Sequence, residues 1–235
     1  ALLSLVAAVA GSVPTPGDTG GPEGLLPPGR YGMLLETATI QKLPMVGRTK
    51  GGTRGWVLVD LLQTPAGLEQ RMTTCEVIVT GMRGTQSRIV VPDAFVEAIP
   101  VNHRRVALAT AEDGSLTYTV DLGEDVVGWD PARSPQMPTE ATHPAVVDFE
   151  GDGQPGATMT LKLPIFGEVH LFVVQHAHIS LTGALQADGA VRGGVAYHRL
   201  DQATVGSSHA LFTATPSMWP DPSRSRFVLR PLPEE

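Results

Sequence analysis

The chain has 235 residues, of which 42% are hydrophobic and 17% charged, so it can bury a core and is neither a disordered segment nor a membrane bundle. Its formal net charge is −7, and it lacks the concentrated basic surface that nucleic-acid binding requires, so we expect no nucleic-acid partner. The 26 glycines and 20 prolines are typical of many short strands joined by turns.

The first ten residues are apolar and end in Ala8-Val9-Ala10, which matches the end of a signal peptide with an A-x-A cleavage site. We interpret residues 1–10 as a signal-peptide remnant, with an ordinary buried strand or helix as the alternative, and residues 11–29 as a flexible Gly/Pro-rich tether. The apolar run is shorter than the roughly 20 residues that span a bilayer, so we expect no transmembrane segment. Ser12 stands where a lipoprotein signal carries its cysteine. These patterns predict an exported protein that is released into the periplasm or outside the cell.

Runs of β-branched and aromatic residues bounded by turn residues predict strands along most of the chain. Pro92 favours one short helix near residues 92–98, and the Asp-Gly pairs at 113–114 and 188–189 predict hairpin turns. We expect an all-β fold, an antiparallel barrel or sandwich. The predicted strands lie near Tyr31–Leu43, Gly55–Gln63, Leu68–Met82, Arg88–Val91, Arg105–Thr110, Ser115–Leu122, Ala157–Leu163, Glu168–Gln175, His178–Leu185, Ala190–Leu200 and Arg226–Arg230.

Two segments of the chain resemble each other. Ala38–Gly47 and Ala157–Gly167 both contain Ala-Thr, a spacer, Lys-Leu-Pro, two apolar residues and Gly, if one extra residue is allowed. One explanation is a duplication, with residues 30–122 and 157–235 as two β halves; chance similarity between two hairpins is the alternative.

Residues 123–156, between these halves, are predicted to form an acidic connection rich in Pro and Gly. From Glu112 to Asp152 ten carboxylates face a single arginine, Arg133. Stretches of this length without strand patterns are usually linkers or functional loops.

The most distinctive motif of the connection is Asp148-Phe149-Glu150-Gly151-Asp152-Gly153. Oxygens at alternating positions before a glycine converge on the ion in calcium loops, so Asp148, Glu150 and Asp152 are candidate calcium ligands. The closing position holds Met159, and the last carboxylate would have to come from elsewhere, such as Asp130 or Glu140. An acidic surface turn is the alternative that we favour. The overlapping Gly-x-Gly-x-x-Gly pattern precedes a strand and contains a proline, so we do not interpret it as a dinucleotide site.

Three histidines share strand parity. His170, His176 and His178 would lie on one face of a continuous strand, and His176-x-His178 could bind zinc or copper. No cysteine or carboxylate within that motif completes the ligand set, so solvent-facing strand histidines are the favoured interpretation.

Cysteine and tryptophan complete the candidate residues. Cys75 is the only cysteine, which precludes an intrachain disulfide and favours a small buried side chain; an intermolecular disulfide or reactive thiol is the alternative. Trp56, in an apolar run, is expected in the core. Trp129 and Trp219, beside Asp or Pro, are expected at the surface, where either could line a pocket mouth.

The Gly151–Gly156 turn and the Pro220–Phe227 segment resemble parts of uncharacterised exported β-rich envelope proteins of Gram-negative bacteria. The resemblance covers about the C-terminal third and implies a location without an activity. Such proteins are often lipoproteins, from which Ser12 departs.

Two functions follow as hypotheses. The first is a non-enzymatic binding or envelope-structural module whose partner is a small apolar ligand or an envelope component, with calcium as an optional structural ion. The second is an extracytoplasmic hydrolase whose catalytic residues the sequence does not identify, because Gly206-Ser207-Ser208-His209 lacks the nucleophile-elbow pattern.

Overall fold

The computed structural model describes residues 26–43, 47–80, 88–110, 112 and 114–233. These residues form eleven strands and one short α-helix, α1 (Asp93–Ala98). The strands are β1 (Gly29–Leu43), β2 (Gly47–Thr64), β3 (Gly67–Thr80), β4 (Arg88–Val90), β5 (Asn102–Thr110), β6 (Leu116–Val127), β7 (Ala157–Leu163), β8 (Gly167–Leu185), β9 (Val191–Ser207), β10 (Ser217–Pro220) and β11 (Arg226–Pro231). The expected all-β class is confirmed.

Eight strands close into a ring in the order β1-β2-β3-β5-β6-β8-β9-β11, and every pairing is antiparallel. Of the two expected architectures, the structure is therefore the barrel. β7 and β4 extend the sheet outward from β8, and β10 pairs with β1 beside the ring. Closing the ring leaves fewer free strand edges than an open sheet of the same strands.

The strand predictions differ from the structure mainly in length. β8 is one strand where two were predicted, because Gln175 and Ala177 keep the alternation instead of turning. β2 begins at Gly47 rather than near Gly55, since its glycines pair with β1 despite their low strand propensity. β10 has no counterpart among the predicted strands; it has four residues and ends in a proline.

The interior of the ring changes character along its length. At one end the inward side chains are large and apolar, as along β1 at Tyr31, Met33 and Leu35, and they pack into a core that fills the ring. The same alternation continues along β1 into buried Thr37 and Thr39, so the interior becomes polar. We call these the apolar end and the polar end of the ring. The apolar core comprises Leu26, Tyr31, Met33, Leu35, Val57, Val59, Leu61, Leu68, Met72, Val106, Leu116, Tyr118, Val120, Leu122, Ile179, Leu181, Val191, Val195, Phe227 and Leu229.

A second core lies where β3, β7 and β8 extend past the start of β5. Phe95 of α1 is fully buried there and packs against Phe149 in a tilted arrangement, with ring centroids 5.1 Å apart. Met159, which occupies the closing position of the predicted calcium loop, is also fully buried in this core. The predicted helix near residues 92–98 is confirmed, with Pro92 as its N-cap residue.

β6 and β7 lie end to end along the same side of β8, with residues 128–156 looped out between them. β6 pairs with β8 from Ala184 to Gln175, and β7 pairs with it from Val173 to Gly167. A bridge between Trp129 and Val146 and a buried cluster around Trp129 fold this insert onto the outer face of β8 and β9. The predicted connection is thus a loop between two strands, β6 and β7, that pair with successive parts of the same side of β8.

The two similar segments each end at a closing strand pair with three residues between its members. Leu43 pairs with Gly47 and Leu163 pairs with Gly167, and both glycines have positive φ, 82° and 70°. A glycine in this conformation closes three-residue hairpin loops. The sequence similarity therefore corresponds to a shared hairpin, and duplication of whole halves stays a prediction.

Three expectations about single side chains were wrong. Trp56 is not in the core, because it faces outward on β2 opposite a bulge in β3, and Cys75, the bulged residue, is exposed. Trp129 is buried at 4% exposure, because the insert folds back and its indole N–H donates to the Gln175 carbonyl at 3.2 Å. Trp219 is exposed as expected. In the described part of the chain, no helix has the length and apolarity needed to cross a membrane.

Candidate functional site

The wall of the ring opens beside β9. β11 pairs with β9 only from Val191 to Gly194, so within the described chain the rest of β9 has a strand partner only in β8. β10 pairs with the same edge of β1 as β11 does, but it forms no ladder of hydrogen bonds with β9 among the described residues. The space between β9 and β10 is a cleft of about 480 Å³, lined by Met137, Leu200, Asp201, Gln202, Thr215, Pro216, Ser217, Met218 and Trp219.

Two glutamines are paired on β8 and β9, and one of them lines this cleft. Gln202 of β9 lines it, and Gln175 is its direct partner on β8, so both side chains are on the inward face of neighbouring strands. Gln175 is 2% exposed, and neither atom of its side-chain amide has a hydrogen-bond partner among the described residues. The Gln202 Oε1 atom is likewise buried without a partner. Such groups are rare in folded proteins, because each costs about 1–3 kcal/mol of stability.

The walls of the cleft are fixed by contacts to the ring. Met218 Sδ accepts a hydrogen bond from the buried Gln41 amide at 3.9 Å, and Thr215 Oγ1 accepts one from the Thr204 amide at 2.9 Å. Trp219 stands at the mouth with the Arg48 guanidinium 5.7 Å from its ring centroid. The cleft is thus apolar at Met218 and Trp219 and polar towards Gln202.

Two carboxylates near the mouth have ion-pair partners. Asp201 accepts from Arg199 at 2.7 Å, so its carboxylate is compensated. Hydrogen bonds from Ser223 and Arg224 hold the pKa of Asp221 below its usual value, and this carboxylate also stays ionised beside its own partner. These two pairs leave the carboxylates with little attraction for a cationic ligand.

The predicted calcium ligands lie in a self-bonded turn. The Asp148 carboxylate accepts from the amides of Gly151, Asp152 and Gly153 at 2.7–3.1 Å. Asp152 accepts from the Gln154 amide and the Thr158 hydroxyl. These oxygens are therefore already bonded within the chain.

Glu150 points inward from the same turn. Its Oε1 accepts from the Thr158 amide at 2.6 Å, and its Oε2 is buried without a partner. Burial raises the pKa of Glu150, nearby Asp152 raises it further, and the Thr158 amide opposes the change. Among the residues described, no group of three or more His, Cys, Asp or Glu side chains is arranged to hold a metal ion. The calcium site stays a prediction, which an increase in Tm with millimolar calcium, abolished in Asp152→Asn, would confirm.

The three histidines share the outer face of β8, as their parity predicted, but only two belong to one cluster. His176 Nε2 lies 2.6 Å from Glu124 Oε2, and His178 Nε2 lies 2.7 Å from Asp121 Oδ1. His170 lies apart, 3.3 Å from the Thr160 hydroxyl. The carboxylates that the sequence motif lacked come from neighbouring β6, a pairing that only the register reveals.

Asp121 is held ionised in this outer cluster. Burial raises the pKa of Asp121, but the Gly123 amide and His178 outweigh it and hold the pKa below its usual value. Two further side chains, Ser180 and His198, belong to the same cluster. His198 of β9 accepts from or donates to Ser180 at 2.9 Å, and its ring centroid is 4.7 Å from that of His178. The Ser180–His198 pair lies on the open outer face of the barrel and does not line the cleft.

The fold and the cleft together define the chain as an antiparallel eight-stranded barrel with a filled apolar end and a lateral cleft at its polar end. Comparison with protein-family models, with curated proteins and with solved structures gives no match. Sequence reasoning offered Trp129 or Trp219 as a residue at a pocket mouth, of which Trp219 lines the cleft, but it missed Gln175 and Gln202. Their only signal is a glutamine at the inward parity of a strand.

Proposed function

We propose that the chain is a non-enzymatic binding module that holds a small, uncharged, amphipathic molecule in the cleft between β9 and β10. The observation that carries this proposal is the Gln175–Gln202 pair beside the cleft, in which both atoms of the buried Gln175 amide and the Oε1 atom of Gln202 lack hydrogen-bond partners among the described residues. A ligand with both a hydrogen-bond donor and an acceptor would satisfy them, and its apolar part would contact Met218 and Trp219.

The dimensions and lining of the cleft support this ligand class. A volume of about 480 Å³ lies within the range of roughly 300–1,000 Å³ usual for small-molecule sites. The apolar end of the ring is filled by side chains such as Tyr118 and Phe227, so the proposal puts the ligand beside the barrel rather than inside it. The mixed lining also favours an amphipathic ligand over the wholly apolar one expected from the sequence. Export and a role in the cell envelope stay part of the proposal, resting on the C-terminal resemblance and on the signal-peptide pattern of residues 1–10, which lie outside the described residues.

Hexanamide is a suitable first probe, because it joins an amide to a short apolar chain. We expect it to shift the ¹H–¹⁵N resonances of residues 200–202 and 215–219 in wild-type protein, and we expect Gln202→Leu to raise its Kd at least about fivefold. Trp219→Ala should also weaken binding. Trp56→Ala is the matched control, since Trp56 is likewise an exposed tryptophan beside an arginine but lies away from the cleft. Shifts at other residues, or equal Kd values in all variants, would contradict the proposal.

Gln175→Leu provides a second test with two readouts. Since the Gln175 amide is buried without a partner, an apolar side chain of similar size should raise Tm in the free protein. The same substitution should weaken hexanamide binding. A higher Tm with unchanged binding would mean that Gln175 has no part in the site.

A further inference from the structure

Two loops bring apolar side chains together at one edge of the molecule. The β7–β8 hairpin carries Ile165 and Phe166, and the 3₁₀ turn at Ala210–Phe212 carries Leu211 and Phe212. Ile165 is 88% exposed and Leu211 72%, the two highest values among the large hydrophobic residues described. We call these four residues the apolar tip.

The apolar tip is built by specific contacts. The Phe166 ring lies 5.5 Å from Phe212 and 5.4 Å from His209, so the two loops pack against each other through aromatic rings. His209 also caps its own turn, because its Nδ1 accepts from the Leu211 amide at 3.3 Å. With the rings engaged with one another, Ile165 and Leu211 remain presented to solvent.

The charge at the base of the apolar tip is opposite in sign to that of the whole chain. Arg88 of β4 and Lys162 of β7 are direct partners in the ladder beneath the hairpin. Glu168 is paired with Lys162 and lies in the electrostatic field of the exposed Arg88, so these three described residues together carry one positive charge in a chain of net charge −7. Apolar side chains that protrude above cationic ones are typical of segments that insert at the headgroup level of anionic membranes.

We propose that the apolar tip inserts Ile165 and Leu211 into the headgroup region of an anionic lipid surface, with Arg88 contacting the lipid phosphates. The partner is a lipid surface rather than a protein groove, because the two most exposed side chains protrude from loop tips and a basic residue pairs with Lys162 in the ladder that leads to the hairpin. The inference is independent of the proposed ligand in the cleft.

Flotation with vesicles tests this inference. The wild-type chain should float with vesicles of phosphatidylcholine and phosphatidylglycerol (7:3) and float less with phosphatidylcholine alone. The double variant Ile165→Ser/Leu211→Ser should reduce the bound fraction at least about fivefold, and Arg88→Glu should reduce binding only to the anionic vesicles. Leu62→Ser/Ile78→Ser is the matched control, since these residues are 46% and 42% exposed on the barrel wall.

Each other outcome overturns the inference. Absence of wild-type flotation would show that the apolar tip has no affinity for lipid. Equal losses in the tip and control variants would mean that binding is not specific to this surface. Wild-type self-association in sedimentation velocity that disappears in Ile165→Ser/Leu211→Ser, without flotation, would identify a contact between copies of the chain instead. Unchanged circular dichroism verifies that each variant is folded.

Discussion

Tyr118 and Gln70 form a polar pair inside the apolar end of the ring. The Tyr118 hydroxyl is fully buried and donates to Gln70 Oε1, while Gln70 Nε2 donates to Met72 Sδ. Burial raises the pKa of Tyr118, so the hydroxyl remains a donor throughout the usual pH range. The pair ties β6 to β3 across the core, and its two members depend on each other because neither can reach water.

We expect Tyr118→Phe to lower the free energy of unfolding by about 1–3 kcal/mol, because Gln70 would be left with a buried acceptor and no donor. Urea denaturation measures this loss. The double variant Tyr118→Phe/Gln70→Leu should recover most of it, since an apolar pair leaves no polar group unsatisfied. A double variant as unstable as the single one would indicate that packing, rather than the hydrogen bond, determines the effect.

Glu36 of β1 forms ion pairs with residues of both neighbouring strands, β2 and β11. Its carboxylate accepts from Arg54 of β2 at 2.7 and 2.9 Å and from Arg226 of β11. Burial alone raises the pKa of Glu36, but the two guanidinium groups outweigh it and hold the pKa below the ordinary value of 4.5. A carboxylate of this kind stabilises the fold above its unfolded-state pKa, and the contribution is lost as pH falls through the folded-state pKa.

Glu36→Gln should therefore lower Tm at pH 7 by about 2–4 °C, corresponding to about 1 kcal/mol. The difference from wild type should shrink below pH 4.5 and vanish in stronger acid. Asp188→Asn is the comparison, because Asp188 is paired with Arg192 at an exposed hairpin where the pair is screened by water. Its effect on Tm should be smaller, and a pH-independent effect of Glu36→Gln would refute the role of charge.

At the scale of elements, the path of the insert 128–156 depends on two glycines, one directly after β6 and one directly before β7. Gly128 and Gly156 have φ of 73° and 79°, and a Cβ on Gly128 would lie 2.6 Å from the Val173 carbonyl oxygen and 2.8 Å from the Gly156 Cα. The backbone at Gly128 passes so close to the backbone at Gly156 and Val173 that there is no space for a Cβ atom. The position of the insert over β8, and of Met137 at the cleft, follows from this close approach.

Gly128→Ala should lower the free energy of unfolding by about 2–4 kcal/mol, because backbone atoms must move to admit the methyl group. Gly151→Ala is the control: its φ of 76° is similar, but a Cβ there meets nothing within 4 Å. It should cost only about 1 kcal/mol, from the backbone conformation alone. Equal losses measured by urea denaturation would show that the close approach of the backbones adds nothing.

The type of each secondary-structure element and the residues of its turns could be predicted from the sequence, whereas the pairing of strands and the contacts of loops could not. β7 was predicted with the boundaries that the structure has, and α1 was placed at Pro92, because local patterns determine both. The buried Trp129 was mistaken for a surface residue, since Asp and Pro neighbours describe the loop but not what it folds onto. Gln175 and Gln202 became a pair only through the β8–β9 register, which depends on two bulges that no sequence signal marks.

At the scale of the whole molecule, the ring and its additions differ in how many partners hold each strand. β6 and β8 are hydrogen-bonded on both sides and contribute to the apolar core. Among the described residues, β4 pairs only with β7, through three residues, and β10 pairs only with β1, through four. Few buried contacts and a single partner are the features of segments that open locally without global unfolding.

Native-state hydrogen exchange should therefore separate two classes of strand. Amides of β6 and β8 at the apolar end should exchange with the free energy and denaturant dependence of global unfolding, whereas those of β10 should exchange at least about a hundredfold faster and independently of denaturant. Exchange of β10 at the same rate as β8 would show that both belong to one cooperative unit. Because β10 forms one wall of the cleft, its local opening is also a route by which a molecule could reach Gln202, and hexanamide bound there should slow the exchange of β10 while leaving β6 unchanged.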